Sequence, residues 1–228
     1  MAIIPAKAFS RRVTKKNMRL FNGKPLLFYT IDAALKSSAI DEVYVSTDSE
    51  EIKSYAESLG AKVPFLRLAE HSGDNTHSSV PVLDLLEKIG GSEKYSFCLT
   101  LLPTAPLRKT ESLNKIVELS KKHQRNVLAV TDLGHTVHHL RTTSDGGELK
   151  RFGSEEVYNF QTQDAPHVFA LSSVGQCAPV GELLKHRTFQ YRSPLGYVVS
   201  KLEAADIDTE EDFILAERLA ITSADKKI

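Results

Sequence analysis

Short runs of apolar and β-branched residues recur along this chain, each followed by a stretch with helical periodicity, and that alternation restricts the fold more than any other feature. AIIPA (Ala2 to Ala6) reads as a short buried strand, and PLLFYTIDAALKSS as a helix opened by Pro25 and ended near Ser38. EVYVST (Glu42 to Thr47) is a second strand; the helix after it has Asp48 or Ser49 at its cap and Gly60 at its stop. KVPFL predicts a short third strand, VPVLDLLEKIG a helix, and SFCLTLL (Ser96 to Leu102) a strand apolar enough for the centre of a parallel sheet. LNKIVELSKK is helical again, and NVLAVTDL (Asn126 to Leu133) and GYVVS are strands. Strands alternating with helices predict an α/β fold with a mainly parallel sheet covered on both faces.

The rhythm breaks between Gly134 and Gly181, where paired His138 and His139, the turn signal SDGGE and the polar run NFQTQDAPH show no helical period until ELLKH. This stretch reads as an inserted subregion or oligomerisation arm. Near the C-terminus, Thr209 caps a helix whose first turn, Glu210, Glu211 and Asp212, suits the positive end of the dipole. With 228 residues, 41% of them hydrophobic, the chain buries a full core as one domain spanning residues 1–228.

Charge is distributed unevenly. The formal net charge is zero, yet the first two dozen residues carry Lys7, Arg11, Arg12, Lys15, Lys16, Arg19 and Lys24 and no acidic group. A solvated basic face accounts for a run of charge but not for its place directly behind a buried strand. A basic loop of small residues at that place suits a triphosphate, whose charges need several cations and a closely approaching backbone. Lysines would neutralise the outer phosphates, and Ser10 with backbone N–H groups would donate hydrogen bonds. Neither GxxxxGK[ST] nor GxGxxG is present. Without interleaved aromatic residues the cluster fits a small polyanion better than nucleic acid. Cys98 and Cys177 make no disulfide framework or metal spacing, and no apolar run is long enough to span a bilayer, so a cytoplasmic protein without a membrane segment is expected. His71, His77, His135, His138, His139 and His167 show no metal spacing either.

Asp206 and Asp208, read as alternating strand positions, would project both carboxylates to one face. Two adjacent carboxylates repel unless a cation lies between them; Mg²⁺, a hard ion held by carboxylates with phosphate oxygens and water, fits the pair, and surface residues or a helix cap are the other reading. Asp212 reads as a helix cap instead, and Asp48 mainly as the cap of its own helix.

IPAKAFS, then KKN, then GKPL, VSTD, the Leu66-Arg67-Leu68-Ala69-Glu70 segment, Asp74 to Ser79, Pro103-Thr104-Ala105-Pro106-Leu107-Arg108 and Ala205 to Asp212 follow one another in order over nearly the whole chain. In that order they resemble the cytidylyltransferases that activate sialic acids and related 2-keto-3-deoxy sugar acids as CMP-sugars, including the pseudaminic and legionaminic acid enzymes. The resemblance implies a doubly wound, Rossmann-like nucleotidyltransferase fold with a dimerisation arm at 134–181, a homodimer, and CTP and a keto-sugar acid as substrates. It implies attack of the anomeric hydroxyl on the α-phosphate of CTP with loss of pyrophosphate. Lys7, Lys16 and Asp208 would carry the chemistry. Ala6, Ser10, Asn17, Arg67, Thr76, His77 and Ser79 would bind CTP, with Asn17 on phosphate or ribose and the residues from Arg67 onward framing cytosine. Gln161, Gln163 and Thr104 would meet the sugar acid, and Asp206 and Asp208 the metal. Where the family typically has arginine, glycine and glutamine, this chain has Lys7, Ala8 and Leu102. Lys16-Asn17, Leu66-Arg67 and the Gln163-Asp164-x-Pro166 run resemble the branch acting on nine-carbon acids. An octulosonate-type enzyme and a nucleotide- or sugar-binding relative with impaired turnover stay open as alternatives.

Overall fold

The computed structural model describes residues 1–73, 76–134, 140–144, 146–152 and 167–226. In chain order the elements are β1 (Ala2–Pro5), β2 (Leu20–Phe21), β3 (Lys24–Pro25), α1 (Leu26–Leu35), β4 (Val43–Ser46), α2 (Glu50–Ser58), α3 (Ser79–Lys88), α4 (Gly91–Lys94), β5 (Phe97–Thr100), α5 (Thr110–His123), β6 (Val127–Asp132), β7 (Arg141–Thr143), β8 (Leu149–Arg151), β9 (Phe169–Pro179), α6 (Val180–His186), β10 (Leu195–Val199) and α7 (Glu210–Lys226). Six strands form the central sheet in the order β10-β6-β9-β5-β1-β4. β1 runs parallel to β4 and β5, and β6 parallel to β10, whereas β9 is antiparallel to both its neighbours.

Alternate side chains of each strand enter different cores, as the pleat requires. Ala2 and Ile4 of β1 pack with Leu27 and Ile31 of α1, Ile52 of α2 and Ile116 of α5. Ile3 faces the other way, toward Val82, Leu85 and Leu86 of α3 and Leu183 of α6. A third cluster joins Val13, Phe21, Leu26, Ile207 and Phe213, and so fastens α7 to the loop that follows β1. The two-strand ribbon β2–β3 turns at Asn22 and Gly23, both with positive φ (45° and 82°), the conformation an Asn-Gly hairpin turn adopts readily.

Two expectations are corrected. Residues 62–66 form no strand: Lys62 makes a single parallel bridge to Tyr44, and Pro64, lacking an N–H, cannot continue a ladder. The stretch 134–181 is not wholly an insertion, since its last part is β9, an eleven-residue strand between β5 and β6. Residues 135–139, 145 and 153–166 lie outside the described residues, Gln161 and Gln163 among them. Among the described residues no helix is long and apolar enough to cross a membrane.

At the start of β4, Glu42 accepts hydrogen bonds from the hydroxyls of Tyr44 (2.8 Å) and Tyr95 and pairs with Lys62. The bond from Lys62, followed by those from Tyr95 and Tyr44, lowers its pKa from an ordinary 4.5 to about 2. The folded value lies below the unfolded one, so this contribution to stability is complete above pH 4.5 and disappears as the pH falls through about 2. Glu42→Gln is therefore expected to melt below wild type at neutral pH, with the difference narrowing steadily in acid. A difference in melting temperature independent of pH would contradict this.

Candidate active site

Beyond the carboxyl ends of β1, β4 and β5 lies a cleft of about 530 Å³, the place where open α/β sheets bind ligands. Its walls are the loop from Lys7 to Asn17, residues Arg67, His71, Ser72, Gly73, Thr76, Ser78 and Pro81, and the turn Leu102-Pro103-Thr104.

The loop after β1 is held at four points. Ala6 N–H extends the parallel ladder to Ser46 O (2.9 Å). Ala8 N–H is donated to Asp48 Oδ1 (2.8 Å), the Val13 side chain is buried in the α7 cluster, and Asn17 Nδ2 donates to Lys7 O (2.8 Å). A left-handed Lys15 (φ 49°) turns the chain into the short 3-10 turn at Lys16–Met18. These anchors leave Lys7, Ser10, Arg11, Arg12 and Lys16 lining the cleft together. Ala6 itself is buried at the end of β1 and does not line it. Asn17 lines the cleft, but its amide donates within its own loop, which makes it a loop-closing residue in this structure. Asp48 is not the cap of α2. Ser49 Oγ accepts the Ile52 N–H (3.3 Å) in that role, and the Asp48 carboxylate reaches back across the adjacent strand to Ala8.

In the second wall of the cleft Arg67 is 6% exposed. Its N–H bonds Thr47 O (2.7 Å), Nε donates to Ser72 Oγ (2.9 Å), and a terminal nitrogen lies 4.0 Å from Asp48 Oδ1. Burial pushes its pKa down while Asp48 and Asp84 oppose the shift; the guanidinium remains a cation at any physiological pH. Thr76 lines the cleft, as do Ser72 and Gly73, which the sequence did not single out, and His71, which the sequence offered only as a histidine without metal spacing. The His71 ring lies between two carboxylates, Nδ1 3.5 Å from Asp84 and Nε2 3.7 Å from Glu70. His77 and Ser79 do not line the cleft. His77 Nδ1 accepts the Ser79 N–H (3.2 Å) and lies 2.8 Å from Ser79 Oγ, so the pair closes the first turn of α3.

Asp206 and Asp208 lie in an extended segment that joins no strand, because β10 has already ended at Val199. Ile207 between them is fully buried, its N–H donated to Thr104 O (2.8 Å) and its carbonyl accepting from Lys16 Nζ (2.7 Å). The alternation expected of a strand survives without one: Asp206 is exposed and Asp208 half-buried on either side of an inward Ile207. Asp208 Oδ1 pairs with Arg12 (2.8 Å) and lies 3.8 Å from Lys16 Nζ. Burial lowers the pKa of Lys16, against the pull of Asp208 and Asp206. Asp212 is spent on the helix: its carboxylate accepts from the Thr209 hydroxyl and from the N–H groups of Thr209 and Asp208, bonds that hold it below its usual range, and Thr209 Oγ1 in turn accepts from Asp212 N–H. Neither carboxylate lines the cleft itself, but Asp208 meets it through Arg12 and Lys16, and the pair suits Mg²⁺, which takes one or two protein carboxylates and completes its shell with phosphate and water. Among the described residues no cluster of three or more His, Cys, Asp or Glu forms a metal cage of its own.

Comparison with known proteins accords with this geometry. The family model described as cytidylyltransferase matches residues 1–172. The CMP-N,N'-diacetyllegionaminic acid synthase of Legionella pneumophila is 33% identical over 224 residues, 96% of this chain and 95% of the relative. A pseudaminic acid cytidylyltransferase of Campylobacter jejuni is 33% identical over 166 residues, covering 72% and 71%. Among solved structures, CMP:2-keto-3-deoxy-manno-octonic acid synthetase complexed with CTP superposes with a TM-score of 0.73 over 98% of both chains at 13% identity, a likeness of fold. The chain belongs to the cytidylyltransferase family of nucleotidyltransferases.

Proposed function

We propose that this protein transfers CMP from CTP to the anomeric hydroxyl of a nine-carbon 2-keto-3-deoxy sugar acid. The anomeric oxygen forms a bond to the α-phosphorus, the α–β phosphoanhydride bond breaks, pyrophosphate leaves and the hydroxyl proton is released. The observation that carries this reading is the gathering of Lys7, Arg11, Arg12 and Lys16 around one cleft directly behind β1, with buried Arg67 lining the same cleft. The cations of the first loop take the triphosphate, and Arg67 with Thr76 the base. Transfer of this kind asks the protein for positioning and charge neutralisation more than for covalent chemistry. Asp206 and Asp208 would hold Mg²⁺, which when bound neutralises phosphate charge. The nine-carbon acid is favoured because the Legionella and Campylobacter relatives are named for such acids and align over most of the chain.

The active species is a homodimer in the cytoplasm. Leu171 of β9, Val130 of β6 and Val198 of β10 are in register across three strands and lie on one face. Leu171 and Val198 are more than half exposed, an apolar row on a sheet that elsewhere packs against helices and that a second copy would cover.

The test is pyrophosphate release with CTP, Mg²⁺ and a panel of keto-sugar acids. Turnover with nine-carbon acids at least about tenfold faster in kcat/KM than with the eight-carbon acid is expected. Preference for the eight-carbon acid would overturn the choice of substrate, and no release with any acid would overturn the reaction.

A further inference from the structure

Arg108 is buried in the middle of the molecule, and its hydrogen bonds go to backbone carbonyls. Nε donates to Ala105 O (2.9 Å), one terminal nitrogen to Val174 O (3.0 Å), and the other to Leu102 O and Ser173 O (3.4 Å). The acceptors belong to two separate pieces of chain. Leu102 and Ala105 bracket the turn that lines the cleft. Ser173 and Val174 lie where β9 bulges: its pairing with β6 passes from Leu128↔Gln176 to Val130↔Leu171, and its pairing with β5 ends at Thr100↔Gln176. Carbonyls off both ladders need donors, because a buried, unpaired backbone group is costly. A guanidinium, with five N–H groups in a rigid fork, can serve all four carbonyls at once, whereas an ammonium has three donors on one nitrogen.

The turn clasped in this way supports the metal loop. Thr104, between the two clasped carbonyls, accepts the N–H of Ile207, the residue separating Asp206 from Asp208. Asp206 also acts on Arg108 through its charge, opposing the fall in pKa that burial imposes on the guanidinium.

We propose that Arg108 is a positioning residue which, through the turn from Leu102 to Ala105, sets the height of the Asp206–Asp208 carboxylates above the nucleotide cleft. Its effect on metal use rests on the transfer reaction proposed above; the clasp itself does not. Arg108→Lys keeps a cation that reaches too few of the four carbonyls, and Arg108→Met removes the donors altogether. In hydrogen–deuterium exchange without ligands, both variants should exchange the amides of residues 203–208 roughly tenfold faster while those of Ile3, Ile4 and Val43–Ser46 are unchanged. In pyrophosphate release, the Mg²⁺ concentration for half-maximal rate should rise about tenfold or more, the range over which groups behind metal ligands act, with KM for CTP held within about twofold. Unchanged exchange at 203–208 overturns the proposal, as does a rise in KM for CTP that matches the change in Mg²⁺ dependence. Should neither variant fold, the wild-type protein decides it: Ile207 N–H must exchange far more slowly than Asp206 N–H, and equal rates overturn the clasp. A wild type that releases no pyrophosphate rejects the reaction, and the exchange data still decide the role of Arg108.

Discussion

Asp208→Asn is expected to lower kcat for pyrophosphate release by about a hundredfold or more while moving the melting temperature by only a few degrees. The split follows from where the two ends of the residue are engaged. Its N–H is donated to Asp212, a bond that asparagine keeps, whereas the carboxylate meets solvent, Arg12 and Lys16. An exposed pair such as Arg12–Asp208 contributes little to stability. The same substitution at Asp212 should give the reverse pattern, a measurable loss of stability with a smaller loss of rate, since that carboxylate caps α7. Turnover by Asp208→Asn within about threefold of wild type would remove Asp208 from the proposed metal site.

Lys16→Met should lower kcat/KM for CTP by about a hundredfold, the scale on which a buried, preorganised donor to developing charge acts. Its ammonium is largely withdrawn from water, and burial lowers its pKa, so the folded protein carries a charge that methionine would relieve. Against that relief stands the bond to Ile207 O, which the variant loses. The two effects oppose each other, and a shift of no more than about 1 kcal/mol in unfolding free energy is expected. Kinetics and urea melts of the same preparation check both halves. Wild-type kcat/KM in Lys16→Met would show that the triphosphate is held elsewhere.

Much of the sheet was legible because β1, β4, β5, β6 and β10 each carry an apolar signal of their own. β9 was not. Ser172, Ser173, Gly175 and Gln176 dilute its pattern, and it is a strand because β5 and β6 both offer it backbone partners, a cause that no local window contains. Residues 62–66 show the opposite error, an apolar composition interrupted by proline beyond one bridge. In the cleft, the cations of the first loop were legible as charge in an unusual place. The work of Asp48 and Asn17 was hidden, because their partners, Ala8 N–H and Lys7 O, are backbone atoms with no side-chain signature. His77 and Ser79 are neighbours of the cleft in sequence, but the start of α3 turns them onto each other. Ser72 gave no signal beyond its distance from Arg67, His71 stood only among histidines without metal spacing, and the Gln161 and Gln163 assignments fall outside the described residues.

The place of β9 between β5 and β6 also sets the order in which a nascent chain can close. By Thr100 the ribosome has delivered β1, β4 and β5, three strands that pair with one another. β6 comes next, but its two neighbours in the sheet are β9 and β10, and neither exists until synthesis has passed Phe169 and Leu195. For that interval the open side of β5 and both sides of the apolar Val127–Asp132 stretch have no partner in the sheet. Such edges pair readily with other chains. A pause in translation between Asp132 and Phe169 is therefore the step at which this protein is most exposed to aggregation.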